Sequence, residues 1–350
     1  VEIVFELCIP YIHILVNLVI NNMSNTNICV QEISLEIVGE ICRSLHYLHD
    51  FDNVHLTNAF FGPLFILLKS NNRFVIFRSV RSLIELLHVA SIDSDFVEPM
   101  IEVLYDLYDN NINKIYVLEA ISSIVFSAGN GVRKYSKKIY KTSKKALNSN
   151  DSVLIATAIE SLSNLFYYCH DILELKASEI FNIFISFSSS PSGDIRSSVA
   201  FGFRIFLKNK EKWNSIIQPN MNLILNFIDE TLKLLIDEST RSCLLDVLRL
   251  MKIIVKHYSH SIKIENSNDD ADVDVDDAKF VIFCFDKWFG YTLESFNTSF
   301  IPLHIAAISL STILYEKRAT IITKQSLSNE SKIKNDFFSL LERDFDDDSP

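Results

Sequence analysis

Residues 28–49 read ICVQEISLEIVGEICRSLHYLH, and their apolar side chains recur three and four positions apart. Recurrence at that spacing predicts an α-helix with a continuous apolar stripe. The stripe consists of Val30, Ile33, Leu35, Ile37, Val38, Ile41, Leu45 and Leu48. A stripe this wide predicts a helix that neighbouring elements cover on more than one side.

The same periodicity continues along the chain and predicts about seven antiparallel helix pairs. They are expected at 2–21 with 28–49, 57–69 with 74–89, 96–108 with 114–127, 132–147 with 152–169, 172–188 with 195–208, 212–236 with 240–258, and 278–296 with 302–315. The second helices begin about 40 to 45 residues apart, except at the last step, and this period is typical of HEAT and armadillo repeats. One pair cannot bury two apolar faces alone, so the fold is predicted to be an all-α superhelix of stacked pairs.

Two aspartates are predicted to start second helices. Asp151 and Asp194 each stand just before an apolar periodic run, where a carboxylate can accept hydrogen bonds from the free amides of the first turn. Pro191, Ser192 and Gly193 form the loop that leads into the second of these helices.

The composition favours an extended helical stack over a catalytic domain. The chain has 350 residues and is 48% hydrophobic, but it contains only 7 Gly and 7 Pro. Nucleotide loops and tight turns need more glycine than this. The formal net charge of -11 also argues against broad nucleic-acid binding, because phosphate contacts need a concentrated positive surface. An acidic receptor for basic protein partners fits this charge better.

Cysteine usage indicates a reducing compartment. The six cysteines are scattered without a CxxC pair, which predicts reduced core thiols in a protein of the cytoplasm or nucleus. They are Cys8, Cys29, Cys42, Cys169, Cys243 and Cys284.

The apolar opening of the chain, residues 1–20, is predicted to be a buried helix of the stack. It lacks the basic leading region of a signal peptide, and polar residues interrupt it as a membrane span: Glu2, Glu6, Pro10, His13 and Asn17. Because the chain starts at Val1 in the middle of the pattern, we expect it to be a segment of a longer protein.

Two acidic stretches interrupt the rhythm. The solenoid is predicted over 1–323 with an acidic insertion at 265–277, followed by a flexible polar, acidic tail at 324–350. The candidate partner-binding carboxylates of the insertion are Asp269, Asp270, Asp272, Asp274, Asp276 and Asp277. They are interpreted as a solvated insertion or as an electrostatic lure for a basic partner. A calcium loop needs Gly at its sixth position and Glu at its twelfth, where this chain has Asp277 and Phe283.

A basic ridge is predicted on the helix at 132–147. Its members are Arg133, Lys134, Lys137, Lys138, Lys141, Lys144 and Lys145. Spacings of three and four residues put most of these side chains on one side of the helix. The ridge is interpreted as the exposed face of an outer helix, as a site for an acidic protein or for the acidic insertion, or as a nucleic-acid site.

No catalytic motif is present in the sequence. It contains no GxSxG, HExxH, Walker or kinase signature, and GNG at 129–131 lacks the third glycine and preceding strand of a dinucleotide loop. We therefore predict a non-enzymatic protein without a cofactor or a metal site.

Short motifs resemble those of one family of HEAT proteins. DIRSSVA at 194–200 follows the HEAT second-helix pattern of Asp, an aliphatic–Arg pair and a small residue, and DSVLIATA at 151–158 follows it without the Arg. AISSIVFSAG at 120–129 followed by VRKY at 132–135 resembles the importin-β (karyopherin-β) nuclear transport receptors, as does the acidic insertion. The resemblance covers the whole chain in pattern and about 40 residues in detail.

The resemblance implies a nucleocytoplasmic transport receptor. It implies that cargo and the Ran GTPase bind on the concave side, that phenylalanine-glycine nucleoporin repeats bind between outer helices, and that the protein occupies cytoplasm and nucleus. The alternative is a static HEAT-repeat scaffold or regulatory subunit of a larger complex.

Overall fold

The computed structural model describes residues 11–46, 57–234 and 241–257, and within these ranges the regular structure is helical. Its α-helices are α1 (Ile12–Met23), α2 (Ile28–His46), α3 (Phe61–Leu67), α4 (Arg73–Val89), α5 (Ser94–Asp109), α6 (Lys114–Ala128), α7 (Ser136–Ala146), α8 (Ser152–Cys169), α9 (Ala177–Phe187), α10 (Gly193–Lys208), α11 (Lys210–Leu234) and α12 (Arg241–His257). Short 3-10 helices, Gly129–Tyr135 and Glu174–Lys176, precede α7 and α9.

The predicted all-α superhelix is confirmed, because consecutive helices pair: α1 with α2, α3 with α4, α5 with α6, α7 with α8 and α11 with α12. Helices α9 and α10 meet where Phe184 lies against Gly202. Second helices begin at Ile28, Arg73, Lys114, Ser152, Gly193 and Arg241, within two residues of the predicted positions. The predicted seventh pair, the acidic insertion and the acidic tail lie outside the described residues.

The described residues divide into two compact units, Val1–Gly202 and Phe203–Pro350. In the first unit the second helices form a row, in which α2 contacts α4, α4 contacts α6, and α6 contacts α8. Small polar side chains link this row. The Ser82 hydroxyl donates to the Leu35 carbonyl (2.7 Å), and the Asn164 amide donates to Ser122 Oγ (3.1 Å). Small residues let the helices approach closely, and these hydrogen bonds satisfy polar groups that would otherwise be buried without partners.

Helix α6 illustrates the core of the first unit. Its residues Val117, Leu118, Ile121, Ile124 and Val125 are fully buried, and each contributes roughly 1.5–3 kcal/mol through burial. The run Lys114–Ala146 is long and apolar enough to cross a membrane by length and composition alone. Because α6 packs against α4, α5 and α8, its apolar side chains are those of a core helix, a type of helix that meets the same criteria.

The second unit contains α11 and α12. Its core includes an edge-to-face pair, Phe203 with Phe227, whose ring centroids lie 5.5 Å apart. The guanidinium of Arg204, whose residue is only 8% exposed, donates from Nη1 to Asp246 (3.3 Å). This ion pair compensates a charge that burial would otherwise penalise.

The start of α8 confirms one predicted cap and the start of α10 corrects the other. The Asp151 carboxylate accepts hydrogen bonds from the amides of Val153 (2.9 Å) and Leu154 (3.2 Å). Asp194 instead lies inside the first turn of α10, because that helix begins one residue earlier at Gly193. A carboxylate in the first turn still interacts favourably with the positive end of the helix dipole.

Candidate protein-binding surfaces

The basic ridge lies across two elements and not on the single predicted helix. Arg133 and Lys134 belong to the 3-10 helix Gly129–Tyr135, and the other five residues belong to α7. Gly129 adopts a φ of +51°, in the left-handed region that favours glycine, and this turn separates α6 from the ridge. All seven basic side chains are exposed.

Four members of the ridge contact neighbouring helices. Arg133 pairs with Asp171, Lys134 with Glu98 of α5, and Lys144 with Glu179 of α9. Lys138 places its ammonium 3.8 Å from the ring centroid of Tyr105 on α5, a cation–π contact. These four contacts join α7 and its preceding turn to the elements on both sides.

The remaining three lysines form what we define as the lysine row, Lys137, Lys141 and Lys145. Their spacing of four residues aligns them along one side of α7. None of them forms an ion pair with a carboxylate in the described part of the chain. The lysine row is therefore the portion of the predicted basic ridge that is available to a partner.

Helix α5 carries an exposed row of the opposite sign, which we define as the acidic row: Glu102, Asp106 and Asp109. These carboxylates also lie on one side of their helix and make no ion pair with a described basic group. The sequence analysis missed this row, although its three- and four-residue spacing was visible in the sequence.

Glu179 is the most strongly perturbed carboxylate described. Hydrogen bonds from Lys144 and from Lys176 (Nζ to Oε2, 2.8 Å), together with the nearby Tyr140 hydroxyl, lower its pKa from 4.5 to about 2. A carboxyl group whose pKa is lower in the folded state stabilises the fold above its unfolded pKa, and that contribution is lost as the pH falls through the folded value.

We expect the Glu179→Gln variant to show a weaker dependence of unfolding free energy on pH between 4.5 and 2 than the wild type. Urea denaturation at a series of pH values measures this dependence. Glu211→Gln is the matched control, because it removes one exposed carboxylate, in the first turn of α11, that forms no ion pair with a described residue. It should keep the wild-type dependence. Identical pH curves for Glu179→Gln and the wild type would contradict the assignment.

A second polar surface, which the sequence analysis missed, lies on the row of second helices. Arg43 of α2 donates to Glu40 of the same helix and to Glu85 of α4, each at 2.6 Å. Along the same side of α4 as Glu85, Phe77 makes an edge-to-face contact with Tyr116 of α6, with ring centroids 5.2 Å apart. The guanidinium carbon of Arg81 lies 5.9 Å and 5.8 Å from these two ring centroids.

Glu119 of α6 lies on this surface and has no ion-pair or hydrogen-bond partner for its carboxylate among the described residues. Burial and the neighbouring charge of Glu85 raise its pKa above 4.5, and Arg81 partly opposes the shift. A half-buried carboxylate without a direct partner is costly, so such groups often mark places where a ligand supplies the missing charge. We define Glu85, Glu119 and Tyr116 as the second-helix site.

Cysteine burial agrees with the sequence prediction at three of four described positions. Cys42, Cys169 and Cys243 are buried, whereas Cys29 is exposed, so its prediction as a core thiol was wrong. Burial raises the pKa of Cys42 to about 12 and that of Cys169 to about 11, which disfavours the reactive thiolate. Within the described ranges, His, Cys, Asp and Glu side chains form no cluster suited to a metal ion.

Comparison with known proteins identifies the fold. The chain is similar to Kap121p, with 16% identity and a TM-score of 0.62 over 92% of this chain. It is also similar to Kap121p bound to Nup53p, with 16% identity and a TM-score of 0.63 over 91% of this chain. To the karyopherin Kap121p bound to the extreme C-terminus of the protein phosphatase Cdc14p it has 17% identity and a TM-score of 0.63 over 93% of this chain.

In each case the chain spans 32% of Kap121p, about a third of its length. No protein-family model matches the sequence, and no curated protein matches it. At this level of identity the similarity establishes a HEAT/armadillo-type solenoid.

Proposed function

We propose that this chain is a non-enzymatic protein-binding solenoid that takes up basic segments of its partners at the second-helix site. The observation that carries the proposal is the half-buried Glu119 carboxylate, whose pKa is raised by burial and by Glu85. A lysine or arginine of a partner, placed against Glu119, would neutralise that carboxylate, whereas Glu85 beside it already pairs with Arg43. The gain is larger than at a fully exposed pair because solvent screens the site less.

Neighbouring groups favour a basic ligand over an acidic one. The apolar stem of a lysine or arginine can pack on Tyr116, which is partly exposed beside Glu119 on α6. On α2, Glu32, Glu36 and Glu40 recur every four residues, and the last two are exposed. They extend the negative potential across the row of second helices, and an extended basic segment would therefore be attracted along more than one repeat.

We further propose that the chain is a segment of an importin-β-like nucleocytoplasmic transport receptor. Two observations support this proposal. The chain shares its solenoid fold with Kap121p, which has been crystallised with Nup53p and with the Cdc14p C-terminus. The motifs at 120–135 also resemble those of the family. Exposed apolar side chains also occur on adjacent first helices: Ile14 and Leu18 of α1 are 67% and 56% exposed, and Ile66 of α3 is 69% exposed. Because α1 and α3 contact each other, these side chains offer a surface for the phenylalanines of nucleoporin repeats.

The receptor proposal is tested by pull-down of the 350-residue chain with phenylalanine-glycine repeats and with Ran loaded with GTP or GDP. We expect retention on the repeats, and preferential binding of GTP-loaded Ran that reduces the affinity for a basic peptide. If the chain binds neither the phenylalanine-glycine repeats nor Ran, the proposed receptor function is contradicted. If the basic peptide still binds and GTP-loaded Ran leaves that binding unchanged, the chain is a static scaffold for basic partners.

A further inference from the structure

We propose that the chain forms a salt-sensitive homodimer in which α5 of each copy packs against α7 of the other. The acidic row of one copy (Glu102, Asp106, Asp109) would face the lysine row of its partner (Lys137, Lys141, Lys145), and the reverse contact would form at the same time. This inference is independent of the second-helix site and of the proposed transport function.

Helices α5 and α7 lie side by side and run in the same direction. Lys134, just before α7, pairs with Glu98 near the start of α5. One turn further along, Lys138 of α7 contacts Tyr105, which is also further along α5. Two contacts that advance together on both helices establish the parallel arrangement. The two rows of charge therefore run parallel to each other on adjacent helices.

The two rows have matching lengths. Asp109 lies seven positions after Glu102, or about 10 Å along a helix axis, and Lys145 lies eight positions after Lys137, or about 12 Å. Each row contains three exposed charges of one sign. Every carboxylate of one row could therefore reach an ammonium group of the other row if the two faced each other.

A two-fold axis produces this pairing twice. When the axis lies between two copies and parallel to the helices, it places α5 of one copy opposite α7 of the other. The rotation leaves each residue at the same position along the helix axis, so the two rows stay level with each other. The same operation brings the second α7 over the second α5, so the surface is self-complementary, as a two-fold interface requires. A partner for this surface needs a row of carboxylates to face the lysines and a row of basic groups to face the carboxylates. A second copy of the chain carries both rows at the required spacing.

The dimer would remove repulsion that each monomer retains. Lys137 and Lys141, and Lys141 and Lys145, are like charges four residues apart, and such pairs destabilise a helix. Lys137 and Lys138 also lie in the first turn of α7, where a positive charge opposes the helix dipole. A facing acidic row neutralises these charges. A nucleic acid suits the surface less well, because the acidic row beside the lysines repels phosphates.

The test uses two charge-reversed chains and their mixture, followed by sedimentation velocity at 50 mM and 500 mM NaCl. The first variant carries Lys137→Glu, Lys141→Glu and Lys145→Glu, and the second carries Glu102→Lys, Asp106→Lys and Asp109→Lys. Each variant alone places like charges at both contacts and should be monomeric. The mixture restores attraction at both contacts, one with the wild-type signs and the other with the signs exchanged, and should form a heterodimer. The wild-type dimer should weaken by about tenfold or more at the higher salt concentration.

The control is Lys69→Glu with Arg73→Glu and Arg78→Glu, which makes the same change in net charge as the first variant, away from α5 and α7, and should dimerise as the wild type does. Circular dichroism reports whether each variant folds. A first variant that does not fold is replaced by the neutral triple Lys137→Gln, Lys141→Gln, Lys145→Gln, and a second variant that does not fold by Glu102→Gln, Asp106→Asn, Asp109→Asn. A wild type that is monomeric at 50 mM NaCl, or a mixture that remains monomeric, would overturn the proposal.

Discussion

Replacing Gly202 with alanine is expected to lower the free energy of unfolding by about 1–3 kcal/mol, the usual cost of overpacking a core. A Cβ atom at this position would lie 2.6 Å from Cε2 of Phe184 and 2.8 Å from two further ring atoms. Phe184 is fully buried on α9, so its ring has no open space to move into. The absence of a side chain at Gly202 thus permits the close contact between α10 and α9.

Gly39 provides the matched control. It also lies in a helix, α2, but a Cβ atom added there lies no nearer than 3.7 Å to a neighbouring atom, which is ordinary van der Waals contact. Alanine has the higher helix propensity by about 1 kcal/mol, so Gly39→Ala should be neutral or stabilising. Urea denaturation of both variants gives the comparison. Equal stability of Gly202→Ala and Gly39→Ala would show that the α9–α10 contact adjusts without cost.

The second large effect is expected at the proposed ligand site. Glu119→Lys should weaken binding of a synthetic peptide of alternating lysine and arginine by about 10- to 100-fold, which corresponds to about 1.4–2.8 kcal/mol. The substitution replaces the half-buried carboxylate by a charge that repels the ligand. Fluorescence anisotropy with a labelled peptide measures the affinity at constant salt.

Glu211→Lys is the control for net charge, because this exposed residue lies in the first turn of α11 and is not part of the second-helix site. It should change the affinity by less than about threefold, as expected for an exposed charge that does not contact the ligand. Comparable losses in the two variants would mean that the peptide responds only to total charge, and the second-helix site would then be wrong.

Glu119→Gln separates stability from binding. Because the pKa of Glu119 is raised in the folded state, the charged carboxylate costs stability as the pH rises through the folded value. The neutral amide removes that cost, so the variant should be at least as stable as the wild type at neutral pH while binding the basic peptide more weakly. A destabilised Glu119→Gln variant would indicate a structural role for the carboxylate.

Helix positions were predictable because they depend on local information. The apolar periodicity and the polar breaks placed the start of α8 at Ser152 and that of α6 at Lys114, as observed. The Asp151 cap was predictable for the same reason, since it bonds to amides two and three residues away. The Asp194 cap was wrong by two residues, because α10 begins at Gly193 and aspartate suits both the cap and the first turn of a helix.

The candidate sites were less predictable because they depend on contacts between repeats. Glu119 follows apolar residues in KIYVLEAISSIVFSA, and nothing local shows that it is half-buried beside Glu85, a residue 34 positions earlier. The basic ridge was visible as a cluster. Its reduction to three free lysines could not be predicted, because Arg133 and Lys144 pair with residues 38 and 35 positions away.

The hydrogen bonds between second helices have a consequence for synthesis on the ribosome. The Ser82–Leu35 and Asn164–Ser122 bonds join residues 47 and 42 positions apart, so each repeat finds its partner in the repeat made just before it. At about 5–20 residues per second, a newly made pair waits only seconds for the next one to cover its apolar face. The first unit can therefore assemble in the order of translation, and only a small apolar surface is exposed to solvent at each stage.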